Sequence, residues 1–171
     1  MGAASVAVSA VARSDKLWAP IAKQAEQLGI FGHGYTYSAH PVCAAVALRA
    51  QQLMQERDII GHVRRVAPQL KSRIERLARF DFIGHLRAIG LIGAMEFAAN
   101  SQTGEKFDPT QKIAAQAVAI IQRHGVILRA LPGDIIGFCP PLIITAAEID
   151  DMFDRIESGL DEFSKLAAKR H

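Results

Sequence analysis

Apolar positions recur along this chain with two periods, and the change from one to the other marks out its elements. Ser5-Val6-Ala7-Val8-Ser9-Ala10-Val11 alternates small or polar residues with Val and Ala, the period-two pattern of a strand. Ala-rich and without a hairpin partner, this strand is expected to find its sheet neighbours outside the segment. Ser14 or Asp15 can then cap a helix over 16–28, closed by Gly29, with Leu17, Ile21, Ala25 and Leu28 as its apolar stripe. The segment from Gly32 to His40 has no apolar period and reads as a loop. Pro41, suited to a first helical position, opens a helix to about Arg57. Between Val42 and Leu48 that helix is apolar nearly all round, so burial of its N-terminal end is expected.

Ile59, Val63, Val66, Leu70, Ile74 and Leu77 then form a long amphipathic helix with Arg, Lys and Glu opposite. Pro68 lies inside it, and because the stripe keeps its phase a kink is expected there, not a break. Leu91, Gly93, Met95 and Phe97 alternate with Ile92, Ala94 and Glu96, a half-buried strand preceded by Gly84 and Gly90. A polar loop over 100–109 leads to a helix carrying Ile113, Ala117, Ile120 and Ile121, ended by His124-Gly125. Two short strands are predicted over 126–129 and 135–139, joined by Pro132-Gly133-Asp134. Thr145-Ala146-Ala147-Glu148 is a capping box introducing Ile149, Met152, Phe153, Ile156, Leu160 and Phe163. From about residue 57 the pattern predicts a small helix-covered sheet of α+β character. Residues 1–40 do not fit inside that unit and read as the tail of a larger domain.

The length, 171 residues, is one domain or one domain plus part of another. Half the residues are hydrophobic and 22% are charged, which excludes a disordered or collagen-like chain. Lys and Arg number 20 against 17 Asp and Glu, a net +3 that is spread along the sequence. Only Arg64-Arg65 and Lys169-Arg170-His171 are locally basic, so no nucleic-acid partner is expected. No apolar run reaches the roughly 18 residues of a membrane span, and no basic n-region precedes the apolar start. Cys43 and Cys139 lie among apolar residues at a spacing that fits no metal motif. They read as buried free thiols of a cytoplasmic chain.

Chemistry-bearing residues are few. Gly32 and Gly34, the hydroxyl of Thr36 and the helix start at Pro41 could together hold an anion such as a phosphate ester. Composition alone leaves an ordinary connecting loop as the plainer account. Arg129, at the end of a short strand, offers a two-pronged donor fork that suits a carboxylate, though a rim arginine is the simpler reading. His33 and His40 flank the glycine loop with no acidic residue near in sequence. Glu96 is either a buried carboxylate or a strand acid paired with Arg87. No nucleophile constellation and no metal pattern stands out. Lys16, Lys23, Lys71, Lys106, Lys112, Lys165 and Lys169 all fall on polar faces, in a loop or near the terminus. None has the desolvated position that a Schiff-base lysine needs.

The string Gly32-His33-Gly34-Tyr35-Thr36-Tyr37-Ser38-Ala39-His40-Pro41 resembles the loop-plus-helix signature of class III aminotransferases. The likeness continues through Arg87-Ala88-Ile89-Gly90-Leu91, Gly125-Val126-Ile127-Leu128-Arg129 and Cys139-Pro140-Pro141-Leu142-Ile143-Ile144-Thr145, in order. The resemblance implies a truncated fold type I pyridoxal-phosphate transferase, α/β overall. In it, 1–40 would be the remnant of the large domain, 41–57 a connecting helix and 58–171 the small α+β domain. It implies cofactor contacts by Gly34, Tyr35 and above all Thr36, whose counterpart binds the phosphate in the neighbouring subunit's site of a homodimer. It also implies a substrate-carboxylate contact by Arg129, with an amine and a 2-oxo acid as substrates. Ala88 and Ala39 stand where the family often has glycine, Ala130 where it often has proline, and the run from Arg129 to Cys139 is one residue longer. The family's Schiff-base lysine would fall about two residues ahead of Met1. The chain by itself is therefore expected to be inactive, with a non-catalytic module for dimerisation or regulation as the rival reading.

Overall fold

The structure, a computed structural model, describes residues 9–168. Most of the strand expected over 5–11 lies outside the described residues, and Ser9, Ala10 and Val11 are irregular. So do the basic residues Lys169-Arg170-His171. The chain divides into two compact units, one ending at Asp58 and the other starting at Ile59.

The first unit holds two helices, α1 (Asp15–Leu28) and α2 (Pro41–Glu56). Gly29 terminates α1 in the left-handed conformation, φ 79°, where a Cβ would be penalised. Pro20 sits inside α1. The burial expected at the start of α2 is absent: neither helix has a buried residue, and Val42 and Leu48 are 60% and 62% exposed. Two helices and a loop supply no second layer to cover an all-round apolar face.

The second unit has its own core. α3 (Ile59–Arg76) runs unbroken through Pro68 and buries Val66, Leu70 and Ile74 on one face. It leads by a short 3₁₀ turn (Leu77–Arg79) into β1 (Ile83–Ile89) and β2 (Ile92–Phe97). β1 is a strand that the hydrophobic pattern did not predict. The register shifts between Ile83 and His85, so no clean alternation survives there. Gly90, φ 57°, is the first residue of the two-residue turn that joins the pair, as a type II′ hairpin requires. After a loop come α4 (Ile113–Arg123), β3 (Arg129–Leu131), β4 (Ile135–Phe138) and α5 (Ala146–Ala168). β3 starts at Arg129, where the expected strand ended, because Gly125 and the residues after it climb out of α4 before pairing begins.

The four strands form one antiparallel sheet in the order β1-β2-β4-β3. One face of β2, with Gly93, Met95 and Phe97, is buried. Gly93 is required there, since a Cβ would lie 2.3 Å from Ile74 Cδ1 and 3.3 Å from the Arg87 carbonyl oxygen. Phe97 meets Phe163 of α5 edge-on at 6.0 Å, and Phe138 of β4 meets Phe153 of α5 at 5.5 Å. α4 and α5 approach closely where Gly159 faces Ile121. The capping box forms as expected: the Glu148 carboxylate accepts from the Thr145 amide at 2.8 Å, and the Glu148 amide donates to the Thr145 hydroxyl at 3.2 Å.

Two further ties fix the helices. Arg73 on α3 reaches Asp150, Asp154 and Glu157 on α5. Asp134, at the tip of the β3–β4 hairpin, accepts the Ala114 amide at 2.9 Å and so caps α4 from 20 residues away. The thiols correct the sequence reading: both are free, but Cys139 is exposed and Cys43 only half-buried. Cys139 follows the last paired residue of β4 and precedes two prolines, which take it off the sheet. Among the described residues no helix is long and apolar enough to cross a membrane.

Candidate functional site

The glycine loop closes on a tight turn. The Tyr35 amide donates to the Ser38 hydroxyl at 3.0 Å, and the Ser38 amide donates back to the Tyr35 carbonyl at 2.9 Å. Thr36 and Tyr37 are thereby the two central residues of the turn, and both side chains are exposed. Ser38 was not singled out in the sequence, although a serine three residues after Tyr35 is the signal for such a closure. Gly34 leads into the turn with open space where a Cβ would stand. A file of rings stiffens the approach: Trp18 on Phe31 at 5.5 Å, Phe31 on His33 at 6.0 Å and His33 on Tyr35 at 5.6 Å. His33 is thus a packing residue of this loop. Ala39 follows at φ 57°, the left-handed region that favours the glycine it replaces. α2 begins two residues later. Pro41 has no N–H to leave unmatched, and no side chain caps the amides after it. A threonine hydroxyl on a turn and an uncapped helix start are donors of the kind a phosphate ester takes.

Arg129 belongs to the other unit. It opens β3 and pairs with Gly137, so no side chain stands opposite to crowd the guanidinium. It is exposed, with no carboxylate partner among the described residues. It lines an open groove of about 380 Å³ with Leu128, Cys139, Pro140 and Met152, apolar walls around one cation. That arrangement suits the carboxylate of a small organic acid. Glu96 resolves as a paired strand acid, held by Arg87 at 3.1 Å and by Lys106.

The sequence model of the family described as "Aminotransferase class-III" matches residues 3–160. The chain belongs to that family. Among curated relatives of this class III aminotransferase chain, an uncharacterized aminotransferase y4uB of Sinorhizobium fredii is 34% identical over 90% of this chain and 33% of its own length. Gamma aminobutyrate transaminase 1, mitochondrial, of Solanum lycopersicum is 34% identical over 96% of this chain and 32% of its own. Among solved structures, the PMP-bound form of an aminotransferase from Vibrio fluvialis matches with a TM-score of 0.83 at 32% identity, over 89% of this chain and 33% of that one. The chain thus spans about a third of the length of the relatives it matches. The expected α/β class agrees with these neighbours, and the four-stranded sheet with its helices is the α+β part of that class.

Set against pyridoxal phosphate, the residues present fit one end of the group. The Thr36 turn and the α2 start match its phosphate in charge and donor type. For the carbonyl end no partner is found among the described residues. Lys16, Lys23, Lys71, Lys106, Lys112 and Lys165 are all exposed, and burial is what lowers a lysine's pKa for such chemistry.

Proposed function

We propose that this chain supplies the phosphate clasp and the substrate-carboxylate contact of a pyridoxal-phosphate-dependent aminotransferase. The reaction moves an amino group between an amine or ω-amino acid and a 2-oxo acid. Bound pyridoxal phosphate supplies the electron sink for that chemistry. Within this chain, the Thr36 hydroxyl donates to a phosphate oxygen, held in place by the Tyr35–Ser38 turn, with Gly34 and Tyr35 shaping the approach. Arg129 binds and orients the substrate carboxylate, with the apolar walls of its open groove taking the rest of a small acid. Residues 1–40 act as part of the large domain, 41–57 as the connecting helix and 58–171 as the small domain.

The observation that carries this reading is the exposed Thr36 at the apex of a doubly hydrogen-bonded turn. The bare apolar surface of α1 and α2 supports burial in a larger assembly, a homodimer with the clasp serving the partner's site. Two unpaired thiols support a reducing compartment, the cytoplasm. Every described lysine is exposed, which supports the expectation that the chain alone performs no transamination.

Binding of pyridoxamine 5′-phosphate, which cannot condense with surface lysines, tests the clasp by equilibrium dialysis on the purified chain. Inorganic phosphate should compete, and Thr36→Ala should weaken binding about tenfold, as loss of one charge-assisted hydrogen bond does. Equal binding by Thr36→Ala would overturn the assignment. Folding and self-association without any cofactor binding would favour the rival, a non-catalytic dimerisation or regulatory module, which the independent core of residues 59–168 also supports.

A further inference from the structure

A second cleft lies where the loop after β2 crosses the start of α4 and the β3–β4 hairpin. It shares no residue with the Thr36 turn or with the groove of Arg129, and nothing about it depends on the aminotransferase reading. Its volume is about 370 Å³, within the range of small-molecule sites. Phe97, Phe107, Ala115, Ala130, Leu131 and Ile135 give it an apolar interior.

The charged groups at its mouth can be accounted for individually. Glu96 is matched by Arg87 and Lys106. Asp134 is engaged as the cap of α4 through the Ala114 amide. Lys112 alone is uncommitted, exposed and without a carboxylate partner among the described residues. With Arg87, Lys106 and Lys112 set against Glu96 and Asp134, which stays charged under its amide bond, the apolar cleft carries one net positive charge at its mouth, and Lys112 is the cation without an ion-pair partner among the described residues. Lys112 also holds a left-handed backbone, φ 51°, that glycine or asparagine would occupy at less cost. That conformation ends the short 3₁₀ turn over Pro109–Gln111 and places Lys112 directly ahead of α4 at the rim of the cleft.

We propose that this cleft binds a small amphipathic carboxylate, an aryl or short-chain alkyl acid, with its body on the apolar walls and its carboxylate on Lys112. An amine is disfavoured because the net charge at the mouth is positive, Glu96 already holds two cations, and Asp134 Oδ1 is taken by the Ala114 amide.

The test is an amide NMR titration of the full chain with phenylbutyrate, phenylbutanol and phenylbutylamine. Phenylbutyrate should shift the amides of Ala114, Ala115, Ala130 and Leu131 saturably, and bind about three- to tenfold more tightly than the alcohol. Lys112→Asn, which suits the left-handed backbone, should abolish that preference and leave alcohol binding unchanged. Ala115→Trp, at an exposed helix position, should block all three probes. The proposal is overturned if those amides do not move at millimolar acid, if the acid and the amine bind alike, or if Lys112→Asn keeps the preference for acid.

Discussion

Replacing Arg73 by methionine should loosen the hold of α3 on α5. The Arg73 side chain is 9% exposed and reaches three carboxylates: Asp150 at 3.3 Å, Glu157 at 3.0 Å, and Asp154. Breaking a buried pair costs about 3–5 kcal/mol when it strands a charge. Here two circumstances reduce the loss. Asp150 and Asp154 are 48% and 69% exposed and return to water, so each contributes no more than about 1 kcal/mol. Glu157, at 11% exposure, keeps Arg79 at 3.2 Å. The substitution also removes the Arg73 Nε–H, buried without an acceptor, whose burial costs about 1 kcal/mol. The balance is a destabilisation of about 2 kcal/mol, or roughly 10 °C in Tm for a unit of this size. Arg73→Lys keeps the charge but not the fork and should fall about halfway. Thermal unfolding followed by circular dichroism measures both. A Tm unchanged in Arg73→Met would refute the view that this arginine fastens the two helices.

Gly159→Val should cost about 3 kcal/mol by urea denaturation, through overpacking against a neighbour that cannot yield. An added Cβ would stand 2.8 Å from Ile121 Cγ1 and 2.9 Å from its Cα. Acidification should destabilise the fold through Glu148, Glu162 and Asp108. Hydrogen bonds from the Thr145 amide and hydroxyl hold Glu148 below the ordinary carboxylate range, those from His124 and Arg123 do so for Glu162, and those from Thr110 for Asp108. Lowered folded-state pKa values contribute stability above the unfolded pKa and lose it as pH falls through the folded one. The urea midpoint should therefore drop between about pH 5 and about pH 2. Thr145→Ala should cost about 1 kcal/mol and move the Glu148 titration, read by NMR, back toward the ordinary value.

Strong local periodicity was legible without coordinates. α3, α4, α5 and β2 each carry an unbroken apolar stripe, and the Thr145–Glu148 box marks the start of α5. The loop around Thr36 was legible as a loop, and Pro41 as the start of α2. What escaped depends on partners distant in sequence. β1 pairs with β2 through a shifted register, so its own alternation is blurred. Ala39 adopts a glycine conformation that its residue type does not announce. The cleft at Lys112 is assembled from three strands, a helix and the loops between them. Burial of α2 failed as an expectation because an apolar helix states a need for cover without supplying it.

The reach of Asp134 back to α4 has a practical consequence for exchanging parts between relatives. Arg129 stands at the foot of the hairpin whose tip is pinned to the helix, so its aim is inherited from an element ahead of it in the chain. A graft of the hairpin alone would arrive without its anchor point. The transplantable piece is the helix and the hairpin together.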